Sequence, residues 1–430
     1  MTSTATWYAA APSELRSERR TLDLGLRPAL RHYTDLVVPG LGRVWFVRQL
    51  SWAVAGLRLS TEPADDGRRH SPTSCALGIE ALACKLAYED GGQLSRVIGT
   101  RAFARDEKDP DTRSFQALTR REHYVLNSYR SGTVRALTSS AVGARPAGLG
   151  FAHGSRFSAM VLTPPGDELA GAFLDVAAGR SRVRDHLRRW IGGGTVPASS
   201  PALCRALHPQ APTALERRLV AHRLVHVDSL EARKRGALAR LLVRHSDLPP
   251  LSAVLSALRR GDPERRQQAD EIVLAFAFGA MLERAQRLIG AITVAMERHL
   301  ATDSAVLSRR AAVREAVGAL REAARDYAQL ERADASKGHS TAHRFASRLE
   351  SLADPALLQF VASRDGKIVR AGDSGEIARG PLFTTMLTLD AEQDTDDDGA
   401  TDPETKAGGR RFGLANLHSL ARDIGAERLG

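Results

Sequence analysis

The stretch that decides the fold runs from Asp262 to Glu331: DPERRQQADEIVLAFAFGAMLERAQRLIGAITVAMERHLATDSAVLSRRAAVREAVGALREAARDYAQLE. Asp262-Pro263-Glu264 is a helix start. It supplies a capping carboxylate, a proline whose missing N–H is harmless in the first turn, and an acid at the positive end of the helix dipole. Ile272 to Leu282 (IVLAFAFGAML) is almost wholly apolar, which predicts burial around most of the helix. Thr302-Asp303-Ser304 is a second start. Beyond it Val306, Val313, Leu320 and Tyr327 recur every seven residues, with Val317 and Ala324 at the offset positions. Two long helices with a tight break predict an antiparallel hairpin over 262–331. Its apolar run needs cover from the chain or from another subunit. The hairpin is therefore expected to be the core of the second domain and also the protein-docking or self-association surface, rimmed by Arg265, Arg266, Arg309 and Arg310.

Working outward, the clearest linker is Gly192-Gly193-Gly194-Thr195-Val196-Pro197-Ala198-Ser199-Ser200-Pro201. It divides a mainly α (α+β) chain into an N-terminal α+β domain (1–192), a helical domain (201–345) and a small C-terminal region (346–430). Upstream, Val47, Leu50, Val54 and Leu57 share one helical face, and Trp45, Phe46 and Trp52 widen it as core aromatics. Cys75 to Tyr88 is a second amphipathic helix, in which Cys75 and Cys84 act as small buried hydrophobes. Leu215 to Val243 reads as one basic helix. Leu357 to Val361 and Ile368 to Arg370 read as a β-hairpin turning at Asp365-Gly366. Arg410-Arg411-Phe412 opens a final helix through Leu414, Leu417, Leu420 and Ile424.

Between 95 and 178, two short helices precede GLGFAHGSRFSAMVLT (148–163), read as two strands turning at His153-Gly154-Ser155, and a closing helix after Pro164-Pro165. This order resembles a winged helix. In that family the second short helix enters the major groove and the hairpin touches the backbone. The resemblance implies that Tyr129, Arg130, Thr133 and Arg135 face bases or phosphates, with Arg156 at the wing.

The formal charge is +11, and 55 of the 61 basic residues are arginine. Residues 390–404 carry eight acids and no base, so removing those eight negative charges leaves +19 on the rest. A GC-rich genome explains arginine over lysine. The surplus of bases points to an anionic partner, DNA ahead of RNA. Gly179 to Trp190 (GRSRVRDHLRRW) places Arg182 and Arg189 on a face that could track phosphates. Three cysteines give no disulfide framework, which suits a reducing cytosol. Neither a secretion signal nor a membrane-spanning run is read in the sequence, and the expected location is cytoplasmic.

Two constellations have ligand-like spacing. Cys204-x3-His208 and His222-x3-His226 could converge on zinc, with Asp228 completing a hydrolytic site. Asp394, Asp396, Asp398 and Asp402, with Gly399 between them, resemble the acidic loops of calcium-binding repeats, although Thr405 stands where an EF-hand has glutamate. A nucleophile elbow, a Walker lysine, a dinucleotide glycine fingerprint and kinase loops are all missing from the sequence, and the reading implies no cofactor.

The segments LGLRPALRHYTDLVVPGLGRVWFVRQLSWAV, RVIGTRAFARD and RRFGLANLHSLARDIGAE resemble uncharacterised bacterial proteins encoded beside antiphage defence genes. That resemblance implies one subunit of a larger nucleic-acid-handling system. The sequence thus favours a non-enzymatic subunit that binds nucleic acid and assembles with protein partners. A metal-dependent hydrolase or nuclease using His222, His226 and Asp228, and a structural adaptor for an acidic protein, are the alternatives.

Overall fold

A computed structural model describes residues 23–41, 44–89, 115, 142–143, 148–154, 156–196, 200–333, 337–383 and 412–429. Among these the chain is mainly helical. The helices are α1 (Arg27–Val37), α2 (Val47–Ser60), α3 (Pro72–Glu89), α4 (Pro164–Leu174), α5 (Val183–Ile191), α6 (Pro201–Leu207), α7 (Ala214–Val225) and α8 (Leu230–Leu242). They continue as α9 (Leu251–Arg259), α10 (Pro263–Ala295), α11 (Ser304–Arg309), α12 (Ala311–Ala333), α13 (Ser340–Ser351), α14 (Asp354–Asp365) and α15 (Leu414–Ile424). Short strands form three small ladders: β1 (Val142–Gly143), β2 (Ala152–Gly154) and β3 (Val161–Leu162); β4 (Ala177–Ala178) and β5 (Ser181–Arg182); and β6 (Ala301–Asp303), β7 (Val369–Ala371) and β8 (Glu376–Arg379).

Helix α10 begins where the sequence places it. The Asp262 carboxylate accepts the Arg265 N–H at 2.9 Å, with Pro263 in the first turn. It pairs with α12 antiparallel: Phe278 meets Tyr327 with ring centroids 6.1 Å apart, and Glu271, nearer the start of α10, lies 3.9 Å from Lys337, beyond the end of α12. Between the two helices the chain inserts β6 and α11 rather than a tight break. The heptad is correspondingly shorter than read. Val313, Val317, Leu320, Ala324 and Tyr327 are buried along α12, but Val306 sits on α11 and is 47% exposed.

The run Ile272–Leu282 is covered from within the chain. Tyr33 of α1 lies against Phe278 with centroids 4.6 Å apart, and Phe412, ahead of α15, meets Phe276 edge-on at 5.4 Å. Only Ala280 of that run is exposed. Of the two kinds of cover expected, the chain supplies its own: the apolar run is core, occupied by the protein's helices, which bury hydrophobic area at no loss of translational entropy.

The buried hydrophobics form two clusters. The larger joins α1, one face of α2, and α7 to α15; the smaller joins the other face of α2 to α3, α5 and α6. Helix α2 lies between them: Leu50, Val54 and Leu57 belong to the first, and Trp52, Ala55 and Leu59 to the second. A Cβ on Gly56 would stand 2.7 Å from the Ala76 Cβ, so the α2–α3 crossing is close enough to require glycine there. Val196, within the glycine-rich linker, and Leu203, just after it, both pack in the second cluster.

Other local readings shift. Asp365-Gly366 ends α14 instead of turning a hairpin: Gly366 has φ 63° and caps the helix. A left-handed glycine serves a helix C-cap as readily as a type I′ turn, and the Asp365 carboxylate accepts the Ile368 and Val369 N–H groups at 2.8 and 2.7 Å. The hairpin itself pairs β7 with β8. Residues 215–243 form two helices, since Ser229 caps a new start at α8. The strands read around 148–163 are present as antiparallel β2 and β3, but His153 and Gly154 belong to β2 and a 3-10 turn at Phe157–Ala159 precedes β3. Most of the winged-helix segment lies outside the described residues. No described helix is long and apolar enough to cross a membrane.

Candidate functional site

The residues expected to bind nucleic acid or metal are scattered. Tyr129, Arg130, Thr133 and Arg135 lie outside the described residues, as do Asp394, Asp396, Asp398 and Asp402. Arg156 is exposed, just before the 3-10 turn. On α5 the arginines largely meet acids of their own chain. Arg182 reaches Asp175 at 3.3 Å and Arg184 pairs with Glu62 and Asp175, while Arg189 lies 3.8 Å from Asp65. Such exposed pairs are weak and exchangeable, yet they leave α5 a less open phosphate track than its sequence suggests.

The zinc set does not assemble. Cys204 packs against the second core, His208 Nδ1 accepts the Gln210 N–H at 3.2 Å, and His222 and His226 face solvent from α7, centroids 6.1 Å apart. Asp228 points outward and pairs with Arg233 at 3.3 Å. Among the described residues no three histidine, cysteine or acidic side chains gather as a metal site. Cys75 and Cys84 are buried, and burial pushes the Cys75 thiol up to about 12 and Cys84 well above its ordinary value, which removes the thiolate needed for nucleophilic work.

Many arginines serve the interior. Arg48, 1% exposed, donates to the Ala206 and Ala211 carbonyls and faces Glu216 with Nε 3.1 Å from Oε1. Arg235 donates to Pro39 O at 2.8 Å, Arg223 to Leu149 O at 2.6 Å, Arg217 to Asp423 O at 2.8 Å and Arg240 to Leu429 O at 3.0 Å. Arg379 gathers carbonyls at the end of α10, His299 O at 2.9 Å among them. A guanidinium carries five donors and can satisfy several orphaned helix-end carbonyls at once. Burial lowers the Arg235 pKa to about 10, still charged at neutral pH.

Exposed arginines with no ion pair or side-chain hydrogen bond are spread over the described surface, Arg31, Arg218, Arg244 and Arg325 among them, and one group of them lies at the open end of the hairpin. Arg259 and Arg260 end α9, and Arg265 and Arg266 begin α10 after a turn at Gly261-Asp262. Arg233 of α8 joins this corner through Glu264 at 3.4 Å. Asp262 is engaged by its capping bond and by Arg265 at 3.6 Å. Arg259, Arg260 and Arg266 are exposed and, among the described residues, have no ion pair or side-chain hydrogen bond. At the other end of α10, about 50 Å away for a helix of 33 residues, Arg298, Arg309, Arg310 and Arg314 are likewise exposed.

Beneath the corner lies a buried polar network. Two turns after Glu264, Glu271 takes Lys234 at 2.6 Å and Lys337 at 3.9 Å. Beside it Tyr33 and Tyr327 share a hydroxyl–hydroxyl bond of 2.6 Å. The His339 N–H donates to Tyr33 Oη at 3.2 Å, Tyr327 bonds the Glu331 carboxylate, and His343 Nδ1 lies 2.7 Å from Glu331 Oε2. The His339 N–H donates to Tyr33, either phenol can be the donor in the bond between Tyr33 and Tyr327, and the Glu331 carboxylate accepts from Tyr327 and from His343. Burial pushes Tyr33 up to about 12 and Tyr327 higher still. Both phenols therefore stay neutral donors across the physiological range. Sequence reasoning treated Tyr327 as a core heptad residue and gave Tyr33 no role; nothing local marks a bond spanning 294 positions.

No family model, curated protein or solved structure matches this chain.

Proposed function

We propose that this protein binds the phosphate backbone of nucleic acid, DNA ahead of RNA, as a non-enzymatic subunit of a larger assembly. The observation that supports this reading is the open-end corner, where Arg259, Arg260 and Arg266 stand exposed with no carboxylate partner among the described residues. Interior arginines have structural duties, whereas these three touch nothing that would explain a positive charge. Guanidinium groups in that condition suit phosphate oxygens, which accept in the same bidentate geometry as a carboxylate. The rest of the reading, including the antiphage setting, draws on the sequence resemblance.

The test is duplex DNA binding measured across a salt series. Affinity should fall steeply as salt rises, and each of Arg259→Ala, Arg260→Ala and Arg266→Ala should lower the log–log salt slope by about 1. A flat salt response, or unchanged slopes in all three variants, refutes the reading. Co-purification with an acidic protein in place of nucleic acid would favour an adaptor.

A further inference from the structure

His339 occupies a position where one protonation state does two jobs. It is the N-cap of α13, and its ring Nδ1 accepts the Thr341 N–H at 3.2 Å. Its own backbone N–H supplies the first bond of the buried tyrosine chain, to Tyr33 Oη. An acceptor Nδ1 is a bare nitrogen, so the ring carries its proton on Nε2. A second proton would have to sit on Nδ1, where it would confront the Thr341 N–H and abolish the cap. The positive ring would also stand at the positive end of the α13 dipole, and the first turn of α13 contains no acid to offset it.

The surroundings reinforce this. From α1, His32 lies 5.5 Å away ring to ring and holds Lys337 O at 2.8 Å, with Tyr33 next to it. From α12 come Tyr327 and Glu331, from α10 Glu271, and from α13 itself His343 and Arg344. Both carboxylates are already engaged, Glu331 by Tyr327 and His343, and Glu271 by Lys234 and Lys337. The groups left to face the ring are cationic or become so in acid. Burial first, then His32 and Arg344, hold the His339 pKa below its ordinary value near 6.5.

We propose that His339 is a pH-sensitive latch joining the amino-terminal helix α1 to the helical hairpin, closed when the ring is neutral and released when it is protonated. Release frays the first turn of α13, withdraws the donor from Tyr33, and leaves the phenol that docks α1 short of one bond. The sign follows from linkage. A histidine whose folded pKa is depressed takes its proton first in the unfolded or frayed state. Its contribution is therefore complete above about 6.5, falls as pH drops through that value, and levels off below the folded pKa. The latch is independent of the proposed nucleic-acid binding.

Amide hydrogen exchange on the full chain at pH 7.5 and 5.5, corrected for intrinsic rates, tests it. Protection of residues 341–345 should fall roughly fivefold at the lower pH, the effect of one lost cap, and protection of 27–37 should fall with it. His339→Asn keeps a capping oxygen without a titrating group, so it should hold protection at both pH values. His339→Ala should be unprotected at both. His343→Gln, which removes the neighbouring histidine, should leave the pH response in place. The proposal is overturned if the response survives in His339→Asn, if it disappears in His343→Gln, or if 27–37 is indifferent to pH in the unsubstituted protein.

Discussion

Arg48 and Arg260 are the same residue under opposite constraints. Arg48 is sealed between the two cores on α2, with carbonyls and Glu216 around it, whereas Arg260 ends α9 in solvent with no ion pair among the described residues. The first is held because a buried charge must be matched on every side. The second carries its charge for something outside the described structure. A formal surplus of +11 therefore overstates what is available to a partner, since much of the arginine binds the protein's own carbonyls. What remains is spread over the described surface and includes one group at each end of α10: Arg259, Arg260 and Arg266, and Arg298, Arg309, Arg310 and Arg314.

The largest expected effect breaks the interior half of this contrast. Arg48→Met leaves Glu216, fully buried, as an uncompensated carboxylate and should destabilise the fold by about 3–5 kcal/mol in denaturant unfolding. The double variant Arg48→Met with Glu216→Leu should recover most of that loss, because an apolar pair of similar volume removes the stranded charge. A smaller effect is expected at Arg235→Met. Here the Pro39 and Leu224 carbonyls lose their donor, and the loss should be about 1–3 kcal/mol. The smallest is Arg260→Ala, for which thermal unfolding should be unchanged while DNA affinity at low salt drops. If Arg260→Ala were as destabilising as Arg235→Met, the division into inner and outer arginines would fail.

Legibility follows the range of the interaction. The start of α10 was readable because its cap, proline and acid lie within three residues and act on local N–H groups. Burial of Ile272–Leu282 was readable from composition, and so were the core roles of Trp52, Cys75 and Cys84. In the sequence Arg48 merely interrupts the apolar run from Val44 to Leu57, and nothing adjacent says that Ala206, Ala211 and Glu216 close around it. Spacing alone suggested zinc ligands at Cys204, His208, His222 and His226. Spacing places residues on a helix face but does not say whether the faces turn toward one another, and here they do not. Asp365-Gly366 failed for another reason, since two different structures ask for the same left-handed glycine.

By itself the sequence determined that this chain is mainly helical, that a long capped helix anchors its second half, and that its bases outnumber its acids. Helix starts and apolar periodicity are set by neighbours a few positions away, so a linear reading reaches them. Tertiary structure alone decided which arginines are free, that α1 covers the hairpin, and that Tyr33, Tyr327, Glu331 and His339 form one hydrogen-bonded chain. Those outcomes depend on which donor finds which acceptor across some 300 residues, and the competition is settled only when the helices pack.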